Sequence, residues 1–214
     1  MADKNPEINL AGIAIGNGWV DPFYQLPAHN DFAIETGLIN AGRGFLLSIG
    51  YKLCEFMMLT EIPFLGTSVC YLMELAISGN PIYPSFNPFD TREPCDHAMT
   101  CVDNTKLALF LNNGPFRKLS RGVGQWDECD DVVRSIMLYY SQFNYGYLLS
   151  EVLDNDVAVL VYNGDKDYMS NWLGSQRWTE ALPWRYQNEF IQETFVDWRV
   201  NNKTEMVGGE FKNF

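Results

Sequence analysis

Residues 157–184 read VAVLVYNGDKDYMSNWLGSQRWTEALPW. The apolar run Val157 to Val161 is too short for a helix and rich in β-branched residues. It predicts a strand buried on both faces, of the kind found in a parallel sheet. At its carboxyl end come Asn163-Gly164, a turn signal, and then two acids, Asp165 and Asp167. In open α/β sheets, ligands and catalytic groups gather where strands end and loops begin. An acid placed there suits the orientation of a histidine base. By spacing alone, either acid equally suits closing a turn or capping the next helix.

Outward from this stretch, Ile8 to Ile15 predicts a second core strand, ending at Gly16-Asn17-Gly18. Asp21-Pro22 is expected to turn the chain out of the sheet. The fold class is therefore α/β. From Phe23 to Gln142 the pattern is helical with long loops. Asn30 or Asp31 is expected to cap a helix running through Ile39 and stopping near Asn40. Phe45, Ile49, Leu53, Phe56 and Met57 form a stripe of helical period, weakened at its start by Gly42 and Gly44. Pro63, Gly66, Pro81, Pro84 and Pro88 predict an irregular connection. Asp103 begins a segment with Leu107, Phe110 and Leu111 on one face, broken by Asn112-Asn113-Gly114. Asp130 or Asp131 begins another, carrying Val133, Met137, Tyr140 and Phe143. Tyr145 to Leu153 predicts a helix feeding the strand at 157–161, and Asn171 to Ala181 a short helix with Pro183 just past its end.

Composition narrows the function. With 214 residues, 47% of them hydrophobic, the chain has enough apolar material for a real core. Its net charge of −12 excludes a nucleic-acid partner by repulsion from phosphate. No apolar run approaches the roughly 20 residues that span a bilayer. No signal peptide is visible at Met-Ala-Asp-Lys. The five cysteines are odd in number, so at least one is left without a partner inside the chain. Cys95 and Cys101 flank a short loop, and Cys54 with Cys70 suits a second closure. Zinc needs four suitably spaced ligands. Cys95, His97 and Cys101 supply three set too close together, so no metal is expected, and no cofactor.

Several segments resemble a known family. Residues 157–184 are similar to the aspartate loop of serine carboxypeptidases of the carboxypeptidase Y and cathepsin A group, which are α/β-hydrolases. Residues 8–25, INLAGIAIGNGWVDPFYQ, resemble the strand and Gly-Asn-Gly-hydrophobic-x-Asp-Pro segment that follows that family's nucleophile helix. PFDTREPC at 88–95 and LALFLNNGPFRKL at 107–119 resemble its disulfide loop and following helix. The resemblance implies a partial α/β-hydrolase core with a mainly helical lid: core strand at 1–22, lid insertion at 23–142, core with the acid loop at 143–214. It makes Asp167 the catalytic aspartate and leaves Asp165 as a loop-stabilising acid. It implies that Trp19, Leu26, His29, Met169 and Ser170 line the pocket for the substrate's penultimate residue, relatives often carrying cysteine where Ser170 stands. It supports the Cys95–Cys101 bridge. It also implies that the counterpart of Cys129 bonds a cysteine nearer the amino terminus. Glu189 to Phe214 resembles the paired strands before the family's histidine loop and includes Asn202-Lys203-Thr204, a glycosylation sequon.

Two parts of the family's chemistry have no counterpart in these residues. There is no Gly-x-Ser-x-Gly elbow, and the two histidines, His29 and His97, stand outside the family's Gly-His-Met-Val-Pro-like context. An orienting aspartate without a serine and a histidine does not hydrolyse peptides. The expectation is a fragment of a serine carboxypeptidase, inactive alone. The complete enzyme would release carboxy-terminal amino acids from peptides through an acyl-enzyme, in a secreted or lysosome- or vacuole-like compartment. Two alternatives stand beside it: a non-catalytic remnant that binds a partner, and an acyltransferase relative. Exposed sheet edges would call for the missing segments or for a companion chain, one held through Cys129 among them.

Overall fold

A computed structural model describes residues 10–60, 63–80, 84–97, 100–113, 115–119, 124–200 and 206–213. Two five-residue strands, β1 (Gly12–Gly16) and β2 (Ala158–Tyr162), pair in parallel from Gly12 opposite Ala158 to Gly16 opposite Tyr162. A parallel pair needs a crossover. Here the connection is a long helical excursion that returns through a helix immediately before β2. Ile8 and the sequon at Asn202 lie outside the described residues.

The excursion begins with α1 (Pro22–Glu35), α2 (Ala41–Met58) and α3 (Pro63–Ser78). Asp21 is the N-cap of α1, accepting from the Phe23 amide at 3.0 Å, with Pro22 at the first helical position. This corrects the expectation that Asp21-Pro22 only turns the chain and that a helix starts near Asn30. Proline is favoured at that first position because its missing N–H is unpaired there in any case. Pro63 likewise opens α3 instead of marking an irregular connection, and Gly66 lies inside that helix. Asn40 does not stop a helix but caps α2, accepting from the Arg43 amide at 2.9 Å.

The helical stripe on α2 exists but faces outward. Phe45, Ile49, Leu53 and Phe56 are exposed, while Tyr51 and Cys54 are buried. Cys54 is bonded to Cys70, pinning α2 to α3, and Cys95 is bonded to Cys101, leaving Cys129 free and exposed. Smaller helices follow: α4 (Thr105–Asn113), α5 (Pro115–Leu119) and α6 (Asp131–Tyr140), the last capped by Asp130.

Next come α7 (Gly146–Asp154), strand β2, α8 (Trp172–Ala181) and α9 (Gln187–Gln192). Strands β3 (Val196–Arg199) and β4 (Val207–Phe211) form an antiparallel pair. The expected paired strands are thus present, though the first residues of the tail, 189–192, lie in α9. One core cluster joins α1, α2 and α3 around Leu26, Phe32, Tyr51, Cys54 and Cys70, with Tyr168 among them. A second packs Val20, Leu149, Trp178 and Leu182 beneath one face of the β1–β2 pair. The other face is open: Leu160 is 59% and Tyr162 57% exposed. The expectation that residues 157–161 are buried on both faces is corrected accordingly, since period-two alternation assigns the even-numbered residues to the uncovered side. Among the described residues no helix is long and apolar enough to cross a membrane. The architecture is a partial α/β core with a helical insertion.

Candidate active-site acid loop

Strand β1 runs into Asn17, whose φ of 47° places it in the left-handed region. Asparagine tolerates that region better than most residues. Its amide donates to the Tyr162 carbonyl at 2.9 Å, continuing the β1–β2 ladder by one step. The turn after it is held by Gln25, reaching back from α1. The Gln25 carbonyl oxygen accepts from the amides of Val20 at 2.7 Å and Asp21 at 2.9 Å, and its amide donates to Gly18 O at 2.8 Å. These three bonds are buried or nearly so, where an unmade bond would be expensive. They fix the direction in which Asn17 and Trp19 leave the sheet.

Strand β2 delivers the other half. Residues 163–171 form a tight loop, with the Asp167 amide donating to Gly164 O at 3.3 Å and the Asn163 side chain to Ser170 O at 2.6 Å. Asn171 closes it by capping α8, accepting from the Gly174 amide at 2.9 Å and donating to Tyr168 O at 3.1 Å. The insertion braces the loop from outside. Pro88 O accepts from the amides of Tyr168 at 2.9 Å and Met169 at 3.0 Å, and the Thr91 amide donates to Lys166 O at 3.0 Å.

Inside this frame Asp167 is 5% exposed. Its Oδ2 accepts from the Asn17 side-chain amide and from the Ser170 hydroxyl, the latter at 3.0 Å. Its Oδ1 accepts from the Ser170 amide at 2.9 Å. A carboxylate offers about four lone-pair sites. Three are occupied, and the one that remains is on Oδ1. Chemically, this is a carboxylate fixed in direction with a single acceptor position left for a donor such as an imidazole N–H. Asp165 is different. It is exposed and paired with Lys166 at 3.1 Å.

Of the five residues expected to line a pocket, Met169 and Ser170 lie in the acid loop itself. Trp19 follows the Asn17 turn, and its indole N–H donates to Ser141 O at 2.8 Å. Leu26 and His29 are both 0% exposed. The His29 ring lies 4.8 Å from that of Tyr168 and 6.4 Å from that of Trp19, and its Nε2 lies 3.0 Å from Met169 O. Sequence reasoning missed Asn17, Gln25 and Asn163. The Gly16-Asn17-Gly18 turn was visible as a turn, but nothing local showed that the Asn17 amide points toward an acid 150 positions away. A cleft of about 580 Å³ lies between α4 and the chain near Gln125, away from Asp167. Among the described residues no three His, Cys, Asp or Glu side chains converge on a common point suited to a metal ion.

The whole chain, residues 1–214, matches the family model described as serine carboxypeptidase. A serine carboxypeptidase-like protein of Oryza sativa is 32% identical over 94% of the chain, which covers 48% of that relative. Carboxypeptidase Y of Komagataella phaffii is 28% identical over 100% of the chain, which covers 43% of it. The crystal structure of a prohormone-processing carboxypeptidase from Saccharomyces cerevisiae superimposes with a TM-score of 0.77 at 20% identity, over 100% of this chain and 50% of that one. The chain thus spans about half the length of the proteins it matches.

Proposed function

We propose, from the premise that the chain belongs to the serine carboxypeptidase family, that it supplies the acid arm of a serine-type carboxypeptidase. The observation that carries this is the Asp167 carboxylate at the end of β2, held by Asn17 and Ser170 with one acceptor position left on Oδ1. In that role Asp167 fixes the tautomer of a histidine and stabilises the imidazolium formed as a serine attacks the peptide carbonyl. Met169 and Ser170 follow it in the same loop and Trp19 follows the Asn17 turn, residues suited to the substrate's penultimate side chain. The 214 residues hold neither a Gly-x-Ser-x-Gly elbow nor a histidine in the family's context, so these residues alone should not hydrolyse peptides. Two disulfides fit an oxidising compartment, secretory or lysosome- or vacuole-like.

A second reading, a scaffold that binds a partner without catalysis, is favoured by the uncovered face of β2 and by the exposed apolar side chains of α6, Val132, Val133, Ile136 and Met137. A peptide assay on the native protein separates the two. Release of carboxy-terminal amino acids, lost on Asp167→Asn, supports the first. Native protein that takes no serine-directed probe and releases no amino acid supports the second.

A further inference from the structure

Aspartates in this chain share a local habit. Asp21, Asp90, Asp103 and Asp130 each accept, on Oδ1, the amide two positions ahead, from Phe23, Arg92, Thr105 and Val132 respectively. Asp130 takes the next amide as well, from Val133 at 2.8 Å, on the same oxygen. An aspartate that opens a turn or a helix offers its side chain to the amides just ahead of it, which otherwise lack a partner.

Asp167 departs from this habit. Its Oδ1 takes the Ser170 amide, three positions ahead, at 2.9 Å. The Met169 amide, two positions ahead, donates instead to Pro88 O at 3.0 Å, and the Tyr168 amide donates to the same oxygen at 2.9 Å. One carbonyl of the helical insertion thus takes both amides between the acid and Ser170. Had Met169 followed the pattern of Asp130, both lone pairs of Oδ1 would be occupied within the loop, and no acceptor position would remain.

Pro88 O is itself placed by a built turn. Asn87, 9% exposed, accepts from the Phe89 amide on Oδ1 at 3.0 Å, and its own amide donates to Glu93 O at 2.9 Å. Asp90 accepts from Arg92 Nε at 2.8 Å and Nη2 at 2.6 Å. The Thr91 amide reaches Lys166 O, and the Phe86 ring lies edge-on to that of Tyr168 at 5.4 Å. At the other end, the Ser85 amide and hydroxyl donate to Ser78 O, where α3 finishes.

We propose that residues 85–92 form a strap that positions Asp167, with Asn87 as the positioning residue that sets it. Pro88 O draws the Met169 amide away from the carboxylate, which keeps the last acceptor position on Oδ1 open for a histidine N–H. This role rests on the reading of Asp167 given above. The strap acts through the acid and not on substrate.

The test uses the complete native protein. Peptide release is measured for wild type and Asp167→Asn, then for Asn87→Ala, which loses the acceptor for the Phe89 amide, and Asn87→Ser, which keeps one. Asn87→Ala is expected to lower kcat about tenfold with KM unchanged, and Asn87→Ser to restore it to within about twofold. Equal loss in both variants, a rise in KM with kcat unchanged, or an Asn87→Ala enzyme as fast as wild type overturns the positioning role. Should Asn87→Ala fail to fold, Asp90→Ala, with Asp90→Asn as its rescue, is read in the same way. Exchange of the Tyr168 amide reads the tie without catalysis: it is expected to quicken about tenfold in the alanine variant, and unchanged exchange overturns the tie itself. A protein indifferent to Asp167→Asn refutes the functional reading, and the Tyr168 exchange still decides the tie. A protein that needs Asp167 but ignores the loss at Asn87 refutes this inference alone.

Discussion

The side-chain amide of Asn17, at the end of β1, donates to Oδ2 of Asp167, in the loop after β2. This contact joins two segments 150 positions apart and is possible only because the strands pair in parallel, so that both end at the same edge of the sheet. The crossover that permits the pairing is the helical excursion, and the excursion also supplies Pro88 O to brace the loop.

Removing that amide tests the contact directly. Asn17→Gly keeps the left-handed backbone comfortable while deleting the donor. It is expected to lower the stability of the chain by about 1–3 kcal/mol, because a buried charged acceptor loses a partner. Asn17→Asp, which sets a second carboxylate against the first, should lose more. Urea midpoints with unchanged slopes give the comparison.

Asp21 gives the pH dependence. Burial raises its carboxyl above the ordinary range despite the amides of Phe23 and Tyr24 and the side chain of Asn144, which act the other way. The native state therefore binds the extra proton between the ordinary value of about 3.9 and the raised one. Stability falls as pH rises through that window, and the burial penalty is complete above it. Asp21→Asn keeps a good cap and removes the titration, so its midpoint should be flatter across the window. Asp21→Ala should lose about 1 kcal/mol at every pH through the missing cap. A wild-type chain that gains stability through this window would contradict the assignment.

Gly174 sits where α8 meets α1. A Cβ there would lie 3.0 Å from the Gln25 Cα, backbone that cannot swing aside. Gly174→Ala is expected to destabilise the chain by about 1–3 kcal/mol despite its better helix propensity. It should also loosen the Gln25 bonds that hold the Asn17 turn, seen as faster exchange of the Val20 amide.

Much of this site was legible. The strand at 157–161 and the acid turn stand out because apolar, turn and acidic residues follow one another within a dozen positions. The short helix entered from the acid loop near Asn171 was readable for the same reason, though not the role of Asn171 as its cap. What escaped depends on distant partners. Asp-Pro at 21–22 signals a turn and a helix start equally well, and only the packing of α1 on α8 selects the second. The α2 stripe has the period of a buried face, yet the disulfide at Cys54 turns that helix so that Tyr51 points inward and Phe45 outward. Leu160 and Tyr162 share the apolar character of Val159 and Val161 but face the uncovered side of a two-stranded pair. Residue type alone does not distinguish them.

The cysteines give an independent check. Cys129 is exposed and free among these residues, so the isolated 214-residue chain should take one equivalent of a thiol reagent without denaturant. Selective loss of Cys54–Cys70, which closes a loop of sequence separation 16, should lower stability by about 3 kcal/mol. More than one reactive thiol in the native chain would contradict the bridge pairing.

The most direct test of the central claim is intact mass of the native protein, reduced and non-reduced, after treatment with a fluorophosphonate serine probe, beside the peptide-release rate of the Asp167→Asn form. The account predicts that the probe labels only a species larger than these 214 residues, and that Asp167→Asn lowers kcat on the order of 10⁴-fold, the loss expected when a histidine rests in the wrong tautomer. A lone 214-residue chain that takes the probe and releases carboxy-terminal amino acids would contradict it. So would an active enzyme indifferent to Asp167→Asn.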